Sequence, residues 1–241
     1  MIKLINDDCL NTMKEIPDKS IDMILCDLPY GTTKNIWDST IPLDKLWKQY
    51  ERIIKDRGCI ALFAQTPFDK ILGYSNLKLL KYEWIWQKTM ATGFLNAKKM
   101  PMKAHENILI FYKKAPKYNP QMRGGFKPYS AARGEKNTTY GKFDNTYVSK
   151  SQGNRYPIDI LEYKHDKIKL HPTQKPVALL EYLIKTYTNE NDLVLDNCMG
   201  SGSSGVACIN TNRSFIGIEI DEKYFEVAKK RIEEAQNNKN L

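Results

Sequence analysis

Short apolar runs alternate along this chain with segments whose apolar side chains recur every three or four positions. The runs at 1–5, 20–26, 58–64, 82–88, 106–112, 192–196 and 214–219 predict strands. Between them Leu43, Leu46, Trp47, Tyr50 and Ile54 share one helical face, as do Val177, Leu180, Ile184 and Tyr187, and also Phe225, Ala228 and Ile232. Near-continuous apolar strands separated by amphipathic helices predict an α/β domain: a seven-stranded, mostly parallel sheet with helices on both faces. In such a sheet ligands bind at the carboxyl ends of strands, so the chemistry is expected in the strand-to-helix turns. Residues 114–170 show no clear periodicity, and a stretch that long inside a domain is expected to be functional.

Charge sharpens the picture of that stretch. The chain of 241 residues has 37 Lys+Arg against 28 Asp+Glu, a net of +9. Within 113–155, ten basic residues face only Glu135 and Asp144, so this segment carries nearly all of the excess. Tyr118, Phe126, Tyr129, Tyr140, Phe143 and Tyr147 are interleaved with the cations, a composition that suits phosphate neutralisation and stacking on bases. On charge alone a solvated insertion without a partner explains it equally well.

No apolar run approaches the roughly 18 residues of a membrane span, and Met1–Asp8 carries no signal-peptide pattern, so an intracellular, cytoplasmic protein is expected. Cys9, Cys26, Cys59, Cys198 and Cys208 form no C-x-x-C pair, and His105, His165 and His171 lack zinc-ligand spacing, which predicts reduced thiols and no metal.

Two turns carry candidate chemistry. Asp196-Asn197-Cys198-Met199-Gly200-Ser201-Gly202-Ser203-Ser204-Gly205 follows one strand, and Glu219 ends the next. The glycines fit the G-x-G-x-x-G dinucleotide pattern, and Glu219 is placed to accept from ribose hydroxyls. Only 41 residues follow Gly200, too few for the second half of a dinucleotide fold, and Asp196 at the strand tip would repel a pyrophosphate. A nucleoside carrying a cation fits better, and S-adenosylmethionine is one. The other turn reads Asp27-Leu28-Pro29-Tyr30. An acid, a carbonyl held extended by the following proline and an aromatic ring form a compact site for a planar amine.

Asp27-Leu28-Pro29-Tyr30 resembles the Asp-Pro-Pro-Tyr motif of DNA amino-methyltransferases, the N6-adenine and N4-cytosine family. Met199-Gly200-Ser201-Gly202 and Gly217-Ile218-Glu219 resemble that family's cofactor turns, and His171-Pro172-Thr173-Gln174-Lys175-Pro176 the segment before its cofactor helix. The motif order is that of the circularly permuted beta-type members. The resemblance implies a Rossmann-like fold of the class I methyltransferase type, with a catalytic half at 1–113, a target-recognition insert at 114–165 and a cofactor-binding half at 166–241. It implies methyl transfer from S-adenosylmethionine to adenine N6 in DNA, in a prokaryotic or phage restriction-modification setting. The alternatives it leaves are N4-cytosine methylation, an RNA target, and a catalytically inactive DNA-binding fold. Asp27, Leu28, Pro29 and Tyr30 would be catalytic, with Asp27 also facing the cofactor.

Asp8, Cys9, Thr173, Lys175, Asp196, Gly200, Ser201, Gly202, Ser203 and Glu219 would hold the cofactor. Asp8 also reads as an N-cap for the following helix, and Lys175 equally as a solvated residue at a helix start. Lys127, Arg133, Lys136 and Lys142 would contact DNA, whose target base must leave the duplex to be reached. A homodimer is compatible with this reading. Leu28 stands where the family has proline, Cys198 where an aromatic is usual, and Ser203-Ser204 where threonines are usual. Thr32–Thr40, with Trp37, reads either as a loop closing over the base or as a hydrophobic anchor.

Overall fold

Every helix and strand expected from periodicity is present in the computed structural model, which describes residues 1–31, 40–133, 147–168 and 170–239. The chain forms two compact units, Met1–Asn119 with Asp159–Leu241, and Pro120–Ile158.

The larger unit is built on β1 (Ile2–Asn6), β2 (Ile21–Asp27), β3 (Ile54–Ala64), β4 (Leu80–Thr92), β5 (Lys103–Phe111), β8 (Ile160–Tyr163), β9 (Leu193–Asp196) and β10 (Ser214–Glu219). Their order across the sheet is β1-β10-β9-β2-β3-β5-β4-β8. Five ladders are parallel; those of β5 with β3 and with β4 are antiparallel. The sheet therefore has eight strands where seven were expected. The added one, β8, lies within the 114–165 stretch and pairs with β4 through Ile85↔Ile160 and Trp86↔Leu161.

Strand alternation divides the core into two layers. Along β3, Ile60, Leu62 and Ala64 point to one face, where α2 (Leu43–Ile53) and α3 (Phe68–Ser75) bring Leu46, Trp47, Tyr50 and Leu72. Cys59, Ala61 and Phe63 point to the other, covered by Leu179, Leu180 and Leu183 of α4 (Val177–Tyr187), Ala207 of α5 (Ser203–Asn210), and Ala228 and Ile232 of α6 (Glu222–Lys239). These side chains are fully or almost fully buried, and each large one contributes roughly 1.5–3 kcal/mol from removal of apolar surface from water. Ile54, expected to complete the α2 face, instead opens β3, because helix and strand abut with no loop between them.

The topology places the site. From β2 the chain moves outward through α2 to β3, and from β9 it moves the opposite way through α5 to β10. β2 and β9 are neighbours, so their carboxyl ends flank the switch point of the sheet, where open α/β folds hold ligands.

The smaller unit contains the antiparallel hairpin β6 (Tyr129–Arg133) and β7 (Tyr147–Ser151), with a further bridge between Arg123 and Arg155. Arg155 lies 4.4 Å from the Tyr129 ring centroid and 5.3 Å from that of Phe126, which Arg123 also approaches at 5.4 Å. Some of the aromatics read as base-stacking surface are thus partnered by the unit's own arginines.

Candidate active site at the switch point

A cavity of about 340 Å³ opens at the carboxyl ends of β2 and β9. It is lined by Asp27, Leu28, Pro29 and Tyr30 from one turn, by Asp196, Gly200, Ser201 and Ser203 from the other, and by Asp8, Cys9, Thr173, Lys175 and Glu219. The residues read from sequence as catalytic or cofactor-binding thus converge on one space, with one exception. Gly202 does not line the cavity: its φ is +76°, and a Cβ there would lie 2.9 Å from that of Ala228, so this glycine serves the turn and close approach of α6.

On the β2 side, Asp27 is half-buried at the end of an otherwise buried strand and faces two donors. The Tyr30 hydroxyl donates to Oδ1 at 2.6 Å, and the Lys175 ammonium to Oδ2 at 2.5 Å. The Tyr30 ring stacks on Phe68, with centroids 5.1 Å apart. Lys175 is buried rather than solvated at its helix start, and it also pairs with Glu106 of β5 at 3.2 Å, whose other oxygen lies 2.5 Å from Lys88 of β4. Lys88, Glu106, Lys175 and Asp27 thus form a chain of alternating charges without net charge when all are ionised. Burial pushes the Asp27 carboxyl above its usual range, against the pull of Lys175. Burial pulls Lys175 the other way, but Asp27 and Glu106 together hold it above its usual value. Burial also works to raise Glu106, yet its two lysines hold it below the ordinary carboxylate range.

Lys88 and Glu106 are site-associated residues that motif reading missed. Their signal was present, because a lysine closing Trp84-Ile85-Trp86-Gln87-Lys88 and a glutamate opening Glu106-Asn107-Ile108-Leu109-Ile110-Phe111 are charges placed against apolar strand cores.

On the β9 side, Asp196 is 6% exposed and accepts from the Ser204 hydroxyl at 2.6 Å and the Cys198 amide at 3.1 Å. Burial pushes its pKa up to about 6. Glu219 accepts from the amides of Gly200 at 2.8 Å and Asp221 at 2.9 Å, which fixes the glycine turn against β10. Arg231 donates to the Ser203 hydroxyl at 2.8 Å and the Ser201 carbonyl at 3.2 Å. Asp8 caps α1 (Cys9–Thr12) by accepting from the Asn11 amide at 3.0 Å, and it also faces the cavity, so both readings of it hold geometrically. His171 accepts from the Thr173 amide at 3.2 Å, and burial pushes its pKa down to about 4, which keeps the ring neutral.

Lys127 belongs to the smaller unit, and Arg133 to β6, where its side chain lies outside the description. Lys136, Lys142 and residues 32–39, with Trp37, lie outside the described residues. Among the described residues no group of three or more His, Cys, Asp or Glu side chains could hold a metal ion, and no helix is long and apolar enough to cross a membrane.

A family model described as DNA methylase matches residues 21–230. The chain is 29% identical to DNA adenine methyltransferase YhdJ of Escherichia coli (strain K12), covering 97% of this chain and 83% of that protein. It is 29% identical to type II methyltransferase M.HpaI of Haemophilus parainfluenzae, covering 98% and 75%. Among solved structures it is similar to an M1.HpyAVI–SAM complex, with 26% identity, 96% and 100% coverage and a TM-score of 0.66. It shares its fold with the PvuII DNA methyltransferase (cytosine-N4-specific), with 15% identity, 98% and 92% coverage and a TM-score of 0.71.

Proposed function

From the premise that this chain belongs to the DNA methylase family, we propose that it transfers the methyl group of S-adenosylmethionine to the N6 amino group of an adenine in DNA. One observation carries the reading: the Asp27-Leu28-Pro29-Tyr30 turn and the Gly200–Ser203 turn, 170 residues apart in sequence, line a single cavity at the switch point. The cavity is of a size that small-molecule sites have, and its residues suit a cationic nucleoside. Glu219 offers a carboxylate at the ribose end, the backbone of Gly200 and Ser201 permits close approach, and Asp8 with the Cys9 amide faces the adenine end. When bound, the cofactor supplies an electrophilic methyl group on a sulfonium.

The chain's own residues do the rest. An exocyclic adenine amine is a weak nucleophile because its lone pair is delocalised into the ring. Each Asp27 oxygen accepts one hydrogen bond already and has a second lone pair free to accept from the amine. Together with the Leu28 carbonyl, which Pro29 holds extended, this favours a pyramidal nitrogen whose lone pair faces the methyl group. As the N–C bond forms and the S–C bond breaks, Asp27 is the group placed to take the amino proton. Lys175 keeps that carboxylate ionised and oriented. An amine paired inside a duplex is out of reach, so the target base must leave the stack. Residues 114–165 serve as the target-recognition insert between the two halves of the methyltransferase domain, and the protein acts in the cytoplasm.

The test is incubation with S-adenosylmethionine and mixed-sequence DNA or RNA, then nucleoside digestion and mass spectrometry. N6-methyladenine from DNA is the expected product. N4-methylcytosine would overturn the base assignment and methylated RNA the substrate, while cofactor binding without any methylated nucleoside would point to an inactive fold.

A further inference from the structure

The antiparallel pair β4–β5 continues beyond the sheet as an arm. Residues 89–105 are all exposed, and they include Met90 at 76%, Phe94 at 79%, Leu95 at 97% and Met100 at 53%. With Met102, five large apolar side chains are held in water on one short arm, which is costly, and such a surface marks an interaction site. The arm is ordered rather than a loose loop: Thr92 pairs with Lys103, and Phe94–Asn96 forms a 3₁₀ turn entered through Gly93 at φ +91°.

Topology says where the arm points. β3 ends at Ala64, which pairs with Asn107, and Asn107 pairs with Ile85. The arm therefore leaves the sheet at the same edge as the carboxyl ends of β2 and β3, the edge that bears the cavity. Its root is joined to the catalytic turn directly, since Lys88 and Glu106 flank it and the ion pairs run on through Lys175 to Asp27. Charge names the occupant. Between Lys88 and Glu106 the chain carries Lys98, Lys99 and Lys103 and not one Asp or Glu. A purely apolar self-association surface does not need three cations, whereas a duplex offers phosphates to lysines and base steps to apolar wedges.

We infer that the arm at residues 89–105 is a second DNA-contacting element, separate from the basic insert: Lys98, Lys99 and Lys103 meet backbone phosphates, and Phe94 and Leu95 wedge against bases beside the target. This rests on the DNA methylase reading above. The exposed positions can be changed without disturbing the core, so the test compares wild type, F94A/L95A and K98A/K99A/K103A in binding a labelled mixed-sequence duplex across a salt series. S-adenosylmethionine titration, thermal melting and sedimentation are run in parallel. The expected result is duplex affinity at least about tenfold weaker for each variant, as the loss of wedging contacts or of phosphate contacts would give. The slope of log K against log salt should be shallower by up to about 2.7 in the triple variant. Cofactor affinity, melting and sedimentation should be unchanged. Duplex binding and salt slope equal to wild type in both variants would overturn the inference while leaving wild-type methyl transfer, measured on the same DNA, to support the function. A wild-type dimer that F94A/L95A converts to a monomer with unaltered DNA affinity would assign the arm to a second copy of the chain instead. A wild type that binds no DNA would overturn both readings.

Discussion

Lys175 Nζ lies 2.5 Å from Asp27 Oδ2, a contact between residues 148 positions apart in the chain. It ties the start of α4, which precedes the glycine turn, to the tip of β2, which opens the Asp27–Tyr30 turn. Because Lys175 is also bound by Glu106, the Asp27 carboxylate shares its counter-ion.

Replacing Lys175 with Met leaves Asp27 and Glu106 as neighbouring carboxylates of which only Glu106 keeps a lysine, Lys88. Asp27 then rises further above its usual range, so the acid limb of the pH–rate profile moves to higher pH. A fall in turnover of about 10²-fold at neutral pH is expected from misplacement of the carboxylate. Lys175→Arg restores the charge and should recover part of both effects. A K175M enzyme with an unshifted profile would refute this role.

Asp27→Ala should abolish methyl transfer while S-adenosylmethionine affinity, followed by calorimetric titration, stays within a few-fold of wild type. Asp27→Asn tests the charge alone, since its carbonyl can still accept one hydrogen bond. Full turnover in either variant would remove Asp27 from the mechanism.

The pH dependence of the wild type follows from the same group. Asp27 is useful only when ionised, because a protonated carboxyl gives up the acceptor it offers the amine. Its pKa is raised by burial, so activity should fall as pH drops while still above the ordinary carboxylate range. Rate measurements from pH 5 to 8 with saturating cofactor would show the limb, or its absence.

Asp196 predicts a stability effect of opposite usefulness. Its pKa is near 6 in the folded protein against 3.8 for the free side chain, so the folded state binds the proton more tightly. The stabilising effect of protonation is fully present below about 4 and lost as pH rises through 6, leaving a penalty of about 3 kcal/mol at neutral pH. Asp196→Asn should therefore raise the urea midpoint at pH 8, and its advantage should shrink on going to pH 4. An equal shift at both pH values would show that the burial penalty on the charge is not the cause.

Gly202→Ala combines a positive φ with a Cβ 2.9 Å from that of Ala228. It should cost roughly 1–3 kcal/mol through backbone strain and overpacking. Ala228→Gly in the same chain should return part of the loss, as a double-mutant cycle in chemical denaturation would report.

The legible parts of this molecule were those encoded locally. The Asp27–Tyr30 turn, the Gly200–Ser203 turn and the period of α4 each occupy a few consecutive residues, and each sits where its pattern placed it. What escaped was long-range or weakly patterned. β8 is only four residues long at the sheet edge and is defined by its ladder with β4, which no local pattern encodes. The antiparallel sense of β5 is a property of pairing, invisible in Lys103–Phe111 itself. Lys88 and Glu106 were readable as charges in apolar runs, but that they serve Asp27 depends on a contact made across three strands and a helix start. The stacking of Arg155 on Phe126 and Tyr129 likewise changed the meaning of a composition that had pointed only outward.

The order of strands in the sheet has a practical consequence. A break in the chain between Asn119 and Asp159 would give one piece bearing β1–β5 and another bearing β8–β10. In the sheet these pieces interdigitate: β9 and β10 lie between β1 and β2, and β8 flanks β4. Neither piece holds the whole cavity of the proposed active site, since one carries Asp27 and the other carries Lys175 and Glu219. The protein is thus a natural candidate for a split enzyme, in which two inert fragments report their own encounter by marking DNA.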